Sequence, residues 1–287
     1  MTESPLFEAC PLECGAELET TSINLPEGNL KRCTSCGQLL SACTASRYDE
    51  SMQEFDVPEG TLPSEQNVKR LHKRVGNNLK QAAAILGQPA SALRLLDTGC
   101  SSGSLLHVAS EIGFNVAGVE PAPQAAATAQ KAGFDVFNGL LHEAQYPDNS
   151  FDIVTLYEVI EHLTNPLELV REVYRILKPG GLFLIGTGNA DSWSVDALGS
   201  NWSYFSIEGH GGHISFFTPA SIRLLAEKTG FLVEDIQTKR ICLAERGSTS
   251  AVSYRFKKLF AELMALPARW LNKGHDMFII LRKPDSV

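Results

Sequence analysis

Apolar positions along this chain fall into two regimes. From residue 92 onward, short continuous apolar runs alternate with stretches whose apolar residues recur at three- and four-residue spacing. Continuous runs of that length mark strands buried on both faces, and the 3.6-residue period marks helices with one buried face. ALRLLD (92–97), FNVAGVE (114–120), FDVFNG (134–139) and FDIVTLY (151–157) are the expected strands, with SLLHVASEIG (104–113) and QAAATAQKAG (124–133) as helices between them. Further on, Leu167, Val170, Val173 and Leu177 line one face of a helix opened by Pro166 and stopped by Pro179-Gly180-Gly181. Another helix has Thr218 as N-cap and Pro219 at its first position. Upstream, Val68, Leu71, Val75, Leu79, Ala82 and Leu86 form a helical stripe. Strands alternating with helices predict an α/β fold with a parallel sheet wound right-handedly, whose ligands bind at the carboxyl ends of its strands.

The first quarter follows no such pattern and differs in composition. Of the 287 residues, 1–66 hold 12 Asp/Glu against 3 Lys/Arg, whereas 67–287 hold 21 against 22. Five of the seven cysteines lie in the first 43 residues. Cys10 and Cys14, then Cys33 and Cys36, form two close pairs, each followed by a glycine, which allows the positive φ of a metal knuckle. Two such pairs supply four thiolates to one tetrahedral zinc, and a site closed by four protein ligands holds a fold and leaves no position for chemistry. Two disulfides or unrelated buried cysteines are the alternatives, the first disfavoured in a reducing compartment and the second by two glycine-terminated pairs at this spacing. The expected organisation is a zinc ribbon at 1–45, a linker at 46–66 and one larger domain at 67–287. The acidic N-terminus has no cationic region followed by an apolar run, and no apolar stretch is long enough to cross a bilayer, so a soluble cytoplasmic protein is expected. The acidity of residues 1–66 argues against a nucleic-acid grip.

A glycine turn after the strand at 92–97 reads D-x-G-x-S-x-G from Asp97 to Gly103. It lacks the third glycine of a dinucleotide fingerprint, and a carboxylate two residues before the first glycine would repel a pyrophosphate while suiting a cationic amino group. Glu120, closing the next strand, can accept hydrogen bonds from a ribose diol. LLDTGCSSGSLL resembles motif I of the class I S-adenosylmethionine-dependent methyltransferases. SFDIVTLYEVIEHLTNPLELVREVYRILKPGGLFLIGTG is similar to the fourth strand, helix and fifth strand of the small-molecule group that includes the ubiquinone-pathway O-methyltransferases. The resemblance covers roughly residues 70–240 and 275–283, and a zinc ribbon ahead of such a domain recurs in that group. It implies a Rossmann-like doubly wound sheet of seven strands, the last antiparallel, and S-adenosylmethionine as methyl donor. By the same resemblance, Asp97, Gly99, Cys100 and Gly103 would surround the methionine part, Glu120 would hold the ribose, and Asn138, Gly139 and Leu140 would lie by the adenine.

Methyl transfer from a sulfonium is an in-line displacement, so alignment and exclusion of water do most of the work, and a base helps where the acceptor is a hydroxyl. His162, His210 and His213 are the candidate bases. Glu158, Glu161 and His162, at helical i, i+3, i+4 spacing, would share one face and with His210 or His213 could hold Mg or Zn. The long segment 189–212 is expected as a lid, its Trp193, Trp202, Tyr204 and Phe205 either stacking on an acceptor or forming a small aromatic core. Residues 246–274 form a helical insert with six Lys/Arg against one Glu, and Phe256, Phe260, Leu263, Met264 and Trp270 interspersed. It would touch an anionic membrane or a lipid-linked acceptor, or simply pack on the sheet before the last strand. The sequence therefore points to a methyltransferase acting on a small molecule, sugar or lipid-linked acceptor, most readily at oxygen. The rival readings are a ribbon-based binding protein with an inactive Rossmann-like unit, an RNA-modifying methyltransferase, and an NAD dehydrogenase.

Overall fold

The computed structural model describes residues 4–53, 69–207, 212–244 and 251–285. Strands β1 (Leu18–Leu25), β2 (Gly28–Cys33) and β3 (Leu39–Leu40) pair antiparallel, and α1 (Ala45–Gln53) follows. The middle third of the chain then builds β4 (Arg94–Thr98), α3 (Ser104–Ile112), β5 (Asn115–Glu120), α4 (Pro123–Lys131), β6 (Val136–Asn138), β7 (Phe151–Tyr157), α5 (Pro166–Ile176) and β8 (Leu177–Gly188). A single turn of π-helix (His72–Gly76) leading into α2 (Asn77–Leu86) precedes β4. After β8 come α6 (Trp193–Leu198), β9 (Ser215–Phe216), α7 (Pro219–Thr229), β10 (Leu232–Lys239), α8 (Ala251–Leu263), α9 (Ala265–Trp270) and β11 (Asp276–Arg282).

The large sheet has the order β10-β11-β8-β7-β4-β5-β6. The strands from β4 to β8 pair parallel, and β11 runs antiparallel to both β8 and β10. Successive residues of the central strands serve opposite faces. Leu96, Val154, Phe183 and Ile185 pack under α5 and α7 with Leu167, Val170, Val173, Ile222 and Leu225. Leu95, Ile153, Leu182 and Leu184 pack under α2 and α3 with Leu79, Leu105 and Val108. Burial on both faces is why these strands read as unbroken apolar runs. Strand order reverses on either side of β4, so the crevice of a doubly wound sheet opens at its carboxyl end. Helix α7 starts as expected: the Thr218 hydroxyl accepts from Ser221 N at 3.1 Å. Helix α5 stops earlier than expected, at Ile176, and Lys178-Pro179-Gly180-Gly181 lies inside the long strand β8.

The ribbon does not stand apart from this sheet. β3 pairs antiparallel with β9, Leu39 opposite Phe216 and Leu40 opposite Ser215, giving a second sheet of order β1-β2-β3-β9. Leu25, Leu30 and Leu39 of the ribbon share a core with Val195, Trp202, Phe205 and Phe216. Part of the segment expected as linker is helical: Thr44 Oγ1 accepts from Arg47 N at 3.3 Å at the head of α1, and the Tyr48 hydroxyl donates to His162 O at 2.7 Å. The Pro- and Gly-containing composition that suggested a linker belongs to residues 54–66, which lie outside the described residues.

Candidate functional site

The turn after β4 is built from three left-handed positions, Gly99 at φ +76°, Ser101 at +47° and Gly103 at +88°. A side chain at Gly99 would also bring its Cβ to 2.5 Å from Val159 Cγ2, so glycine is required there twice over. Gly99 N and Cys100 N donate to Val119 O at 2.8 and 3.1 Å, folding the turn over the end of β5. The Cys100 thiol packs downward: a Cβ on Gly118 would lie 2.6 Å from its Sγ. Cys100 therefore offers a ligand its backbone, and its side chain belongs to the core with Leu106 and Ala126.

Two carboxyls lie beneath and beside that turn. Asp97 is buried and accepts from Thr155 Oγ1 at 2.6 Å. Burial pushes its pKa to about 7, the Thr155 hydrogen bond opposing and the Glu120 charge adding. Glu120 accepts from Ser101 N at 2.8 Å and Ala122 N at 2.9 Å, and burial raises its pKa against those two amides. Thr98 Oγ1, on the last residue of β4, is buried with no hydrogen-bond partner among the described residues. Asn138 Nδ2 donates to Glu120 O at 2.9 Å and Gly139 N to the same oxygen at 3.1 Å, while Leu140 stands half-exposed beside them. All eight expected cofactor residues thus gather on the rim of β4, β5 and β6. A buried carboxyl short of a positive charge, an orphaned hydroxyl and a carboxylate fixed by loop amides suit a cationic ligand bearing a diol.

A second cluster sits past the end of β7, and it differs from the expected helical face. Glu158 takes a left-handed φ of +54° and Ile160–His162 make one 3₁₀ turn, so Glu158 shares no helical face with the others; it pairs with Arg74 and accepts from the Tyr204 hydroxyl at 3.3 Å. The group that does converge is Glu161, His162 and His213, one ligand atom from each lying within 4.8 Å of the others. Glu161 is fully buried; Thr187 Oγ1 donates to it at 3.0 Å and the Tyr204 hydroxyl at 2.5 Å. Burial, then the nearby Glu158 charge, push its pKa to about 8, and burial beside the same carboxyls raises Tyr204 well above the usual phenol value. His213 Nδ1 lies 2.8 Å from Tyr204 O, an acceptor only, so Nδ1 carries the hydrogen. Its Nε2 then faces Glu161 Oε1 at 3.6 Å. Two acceptors at that distance call for a proton or a cation between them. The His162 and His213 rings are 4.7 Å apart. His210 lies outside the described residues.

Of the aromatic residues in the expected lid, Trp202 and Phe205 are 1% exposed and packed on the ribbon, so neither is available to stack on an acceptor. Thr155, Thr187 and Arg74 enter the two clusters without having been singled out from sequence. The first two carried a signal, a hydroxyl inside a strand buried on both faces.

In the ribbon, Cys10 and Cys36 Sγ are 3.7 Å apart and Cys14 and Cys33 Sγ 3.1 Å, all four within 4.8 Å of one another. These separations exceed the roughly 2.05 Å of a disulfide, and zinc held at about 2.3 Å from each sulfur would space them near 3.75 Å. Contact with the Cys36 sulfur, then burial, push the Cys10 thiol up, and the same contact lowers Cys36 to about 6.

A family model described as a methyltransferase domain matches residues 67–236. The chain belongs to the class I S-adenosylmethionine-dependent methyltransferases. Within that family, a ubiquinone biosynthesis O-methyltransferase of Cereibacter sphaeroides is 31% identical over 151 residues, 50% of this chain and 61% of that protein. One of Methylobacterium nodulans is 33% identical over 156 residues, 51% and 63%. The matched part therefore spans less than two thirds of the length of these methyltransferases. A methyltransferase structure from Archaeoglobus fulgidus superimposes with a TM-score of 0.51 at 21% identity, covering 72% of this chain and 94% of that one. A putative methyltransferase solved in complex with the Trm112 activator of Haloferax volcanii gives 0.53 at 18%, covering 80% and 98%. These likenesses establish the fold.

Proposed function

We propose that the chain transfers a methyl group from S-adenosylmethionine to a hydroxyl of a small-molecule acceptor, in a unit running from about residue 67, with residues 1–45 as a zinc-held accessory. The observation that carries this reading is the convergence of Glu161 and His213 at the same rim of the sheet as the Asp97 and Glu120 turn. S-adenosylmethionine supplies the methyl group, the oxygen nucleophile displacing the sulfur in line. Asp97 sits where a cationic amino group would restore its ionisation, Glu120 where a ribose diol would meet its remaining lone pairs, and Asn138 to Leu140 beside the base. Once Glu161 has given up its proton, His213 Nε2 takes the acceptor's hydroxyl proton, Nδ1 being held on Tyr204 O, and the Glu161 carboxylate stabilises the resulting imidazolium. The two imidazoles and one carboxylate also suit a divalent cation. Cys10, Cys14, Cys33 and Cys36 are the zinc ligands of the accessory unit.

Transfer of isotopically labelled methyl to phenolic, sugar and amine acceptors tests the reading. Incorporation into a hydroxyl, lost by ~10²-fold or more in Glu161→Gln and His213→Ala with S-adenosylhomocysteine binding retained, is the expected outcome. Incorporation only into amines, or none with any hydroxyl, refutes it. A chelator too weak to strip the ribbon separates the base from the cation: undiminished transfer assigns the proton to His213 alone.

A further inference from the structure

The insert between β10 and β11 is turned inside out. Helix α8 packs inward through Ala261 and α9 through Ala268, whose carbonyl accepts from Thr238 Oγ1 at 3.4 Å. The large side chains point the other way. Phe256, Leu259, Phe260 and Leu263 recur at three- and four-residue spacing as one exposed stripe, and Leu266 and Trp270 extend it, with Phe256 76% and Trp270 81% exposed. A helix that served only its own core would bury this stripe; left outside, it is a contiguous apolar surface that water does not favour.

Its surroundings say what fits it. Arg255, Lys257, Lys258 and Arg269 are exposed around the stripe, and residues 246–274 hold six Lys/Arg against the single Glu262, in a chain of net charge −8. A second copy docked about a two-fold axis would set these cations against their own equivalents. An anionic lipid surface answers both features at once, accepting the apolar stripe below its headgroups and the basic side chains among them. A tryptophan at the edge of such a stripe suits the headgroup layer. No helix of the described residues is long and apolar enough to cross a membrane, so the contact is with one surface.

Topology places this surface beside the ligand rim. Lys239 ends β10 opposite Asp276, which starts β11 and pairs with Gly188 at the end of β8. Gly188 N donates to the Tyr204 hydroxyl of the Glu161 cluster. The insert therefore leaves and rejoins the sheet at the edge where the cofactor turn and the acceptor cluster lie.

We infer that the outer face of α8 and α9 docks the protein on an anionic phospholipid surface. The inference does not depend on the reaction proposed above. Its test is co-sedimentation of the full chain with vesicles of phosphatidylcholine alone or mixed with phosphatidylglycerol. The protein should pellet with the mixed vesicles, less as salt is raised. Lys257→Glu with Lys258→Glu should weaken binding at least roughly tenfold. Phe260→Asp with Trp270→Asp should abolish it, while thermal melting and S-adenosylhomocysteine binding stay unchanged, these side chains making no part of the core. Failure to pellet with either vesicle, or equal pelleting with both, overturns the inference. So does a wild-type dimer in solution that Phe260→Asp converts to monomer without any vesicle binding, which would assign the face to a second copy.

Discussion

Asp97 and Glu161 are the two carboxyls that burial has pushed furthest toward neutrality, to about 7 and about 8. For Asp97 this has a direct consequence. Between its ordinary 3.8 and about 7 the folded chain binds the proton more tightly than the unfolded chain, so Asp97 lowers stability as pH rises through that interval. A cationic ligand that needs the ionised form shows the opposite trend: S-adenosylhomocysteine affinity should rise roughly tenfold from pH 6 to pH 8 and lose that dependence in Asp97→Asn, measured by calorimetry. Glu120→Ala removes hydrogen-bond acceptors and the anchor of Ser101 N, and should weaken the same binding by about 1–3 kcal/mol. Asp97, Glu120 and the turn glycines were legible because each stands at the end of an apolar run, where only chemistry or a tight turn explains it. Glu158 misled because its i, i+3 spacing from Glu161 presumes a helix, and a left-handed φ at Glu158 breaks that face. Thr187 gained meaning only when Tyr204 and Glu161, distant in sequence, met beside it.

At the scale of elements, the strand and helix alternation was readable because the parallel strands are apolar on both faces and α7 carries its own cap. The union of β3 with β9 was not, since strands of two residues have no periodicity to detect. That union ties the ribbon to the Glu161 cluster. Ser41 N donates to Ile214 O at 2.8 Å, Ile214 N to Glu161 O at 3.0 Å, and Gln38 Nε2 to Ser215 Oγ at 2.5 Å. Cys10, Leu12, Cys33 and Cys36 share the main core with Phe217, Ile222 and Leu225. Cys36→Ser should accordingly abolish bound zinc, measured by metal analysis, and lower the melting temperature of the whole molecule in one transition, with no early step for a detached ribbon. Trp202→Ala, emptying the core between ribbon and sheet, should cost about 3–5 kcal/mol in denaturant unfolding.

For the whole molecule, the charge and cysteine asymmetry of the sequence corresponds to two sheets: the acidic N-terminal segment supplies β1, β2 and β3 of the small one, which takes β9 from the near-neutral remainder of the chain as its fourth strand. The doubly wound order opens its crevice at the carboxyl end of β4, and both carboxyl clusters and both ends of the apolar insert lie on that edge. The proposed methyl transfer depends on that crevice receiving S-adenosylmethionine. Isothermal titration of the full chain with S-adenosylhomocysteine, and in parallel with NADH, tests it most directly. One molecule of S-adenosylhomocysteine per chain, bound with micromolar affinity that Glu120→Ala weakens, and no heat from NADH, is the predicted result. No binding of S-adenosylhomocysteine by the folded wild-type chain, or binding of NADH in its place, would contradict it.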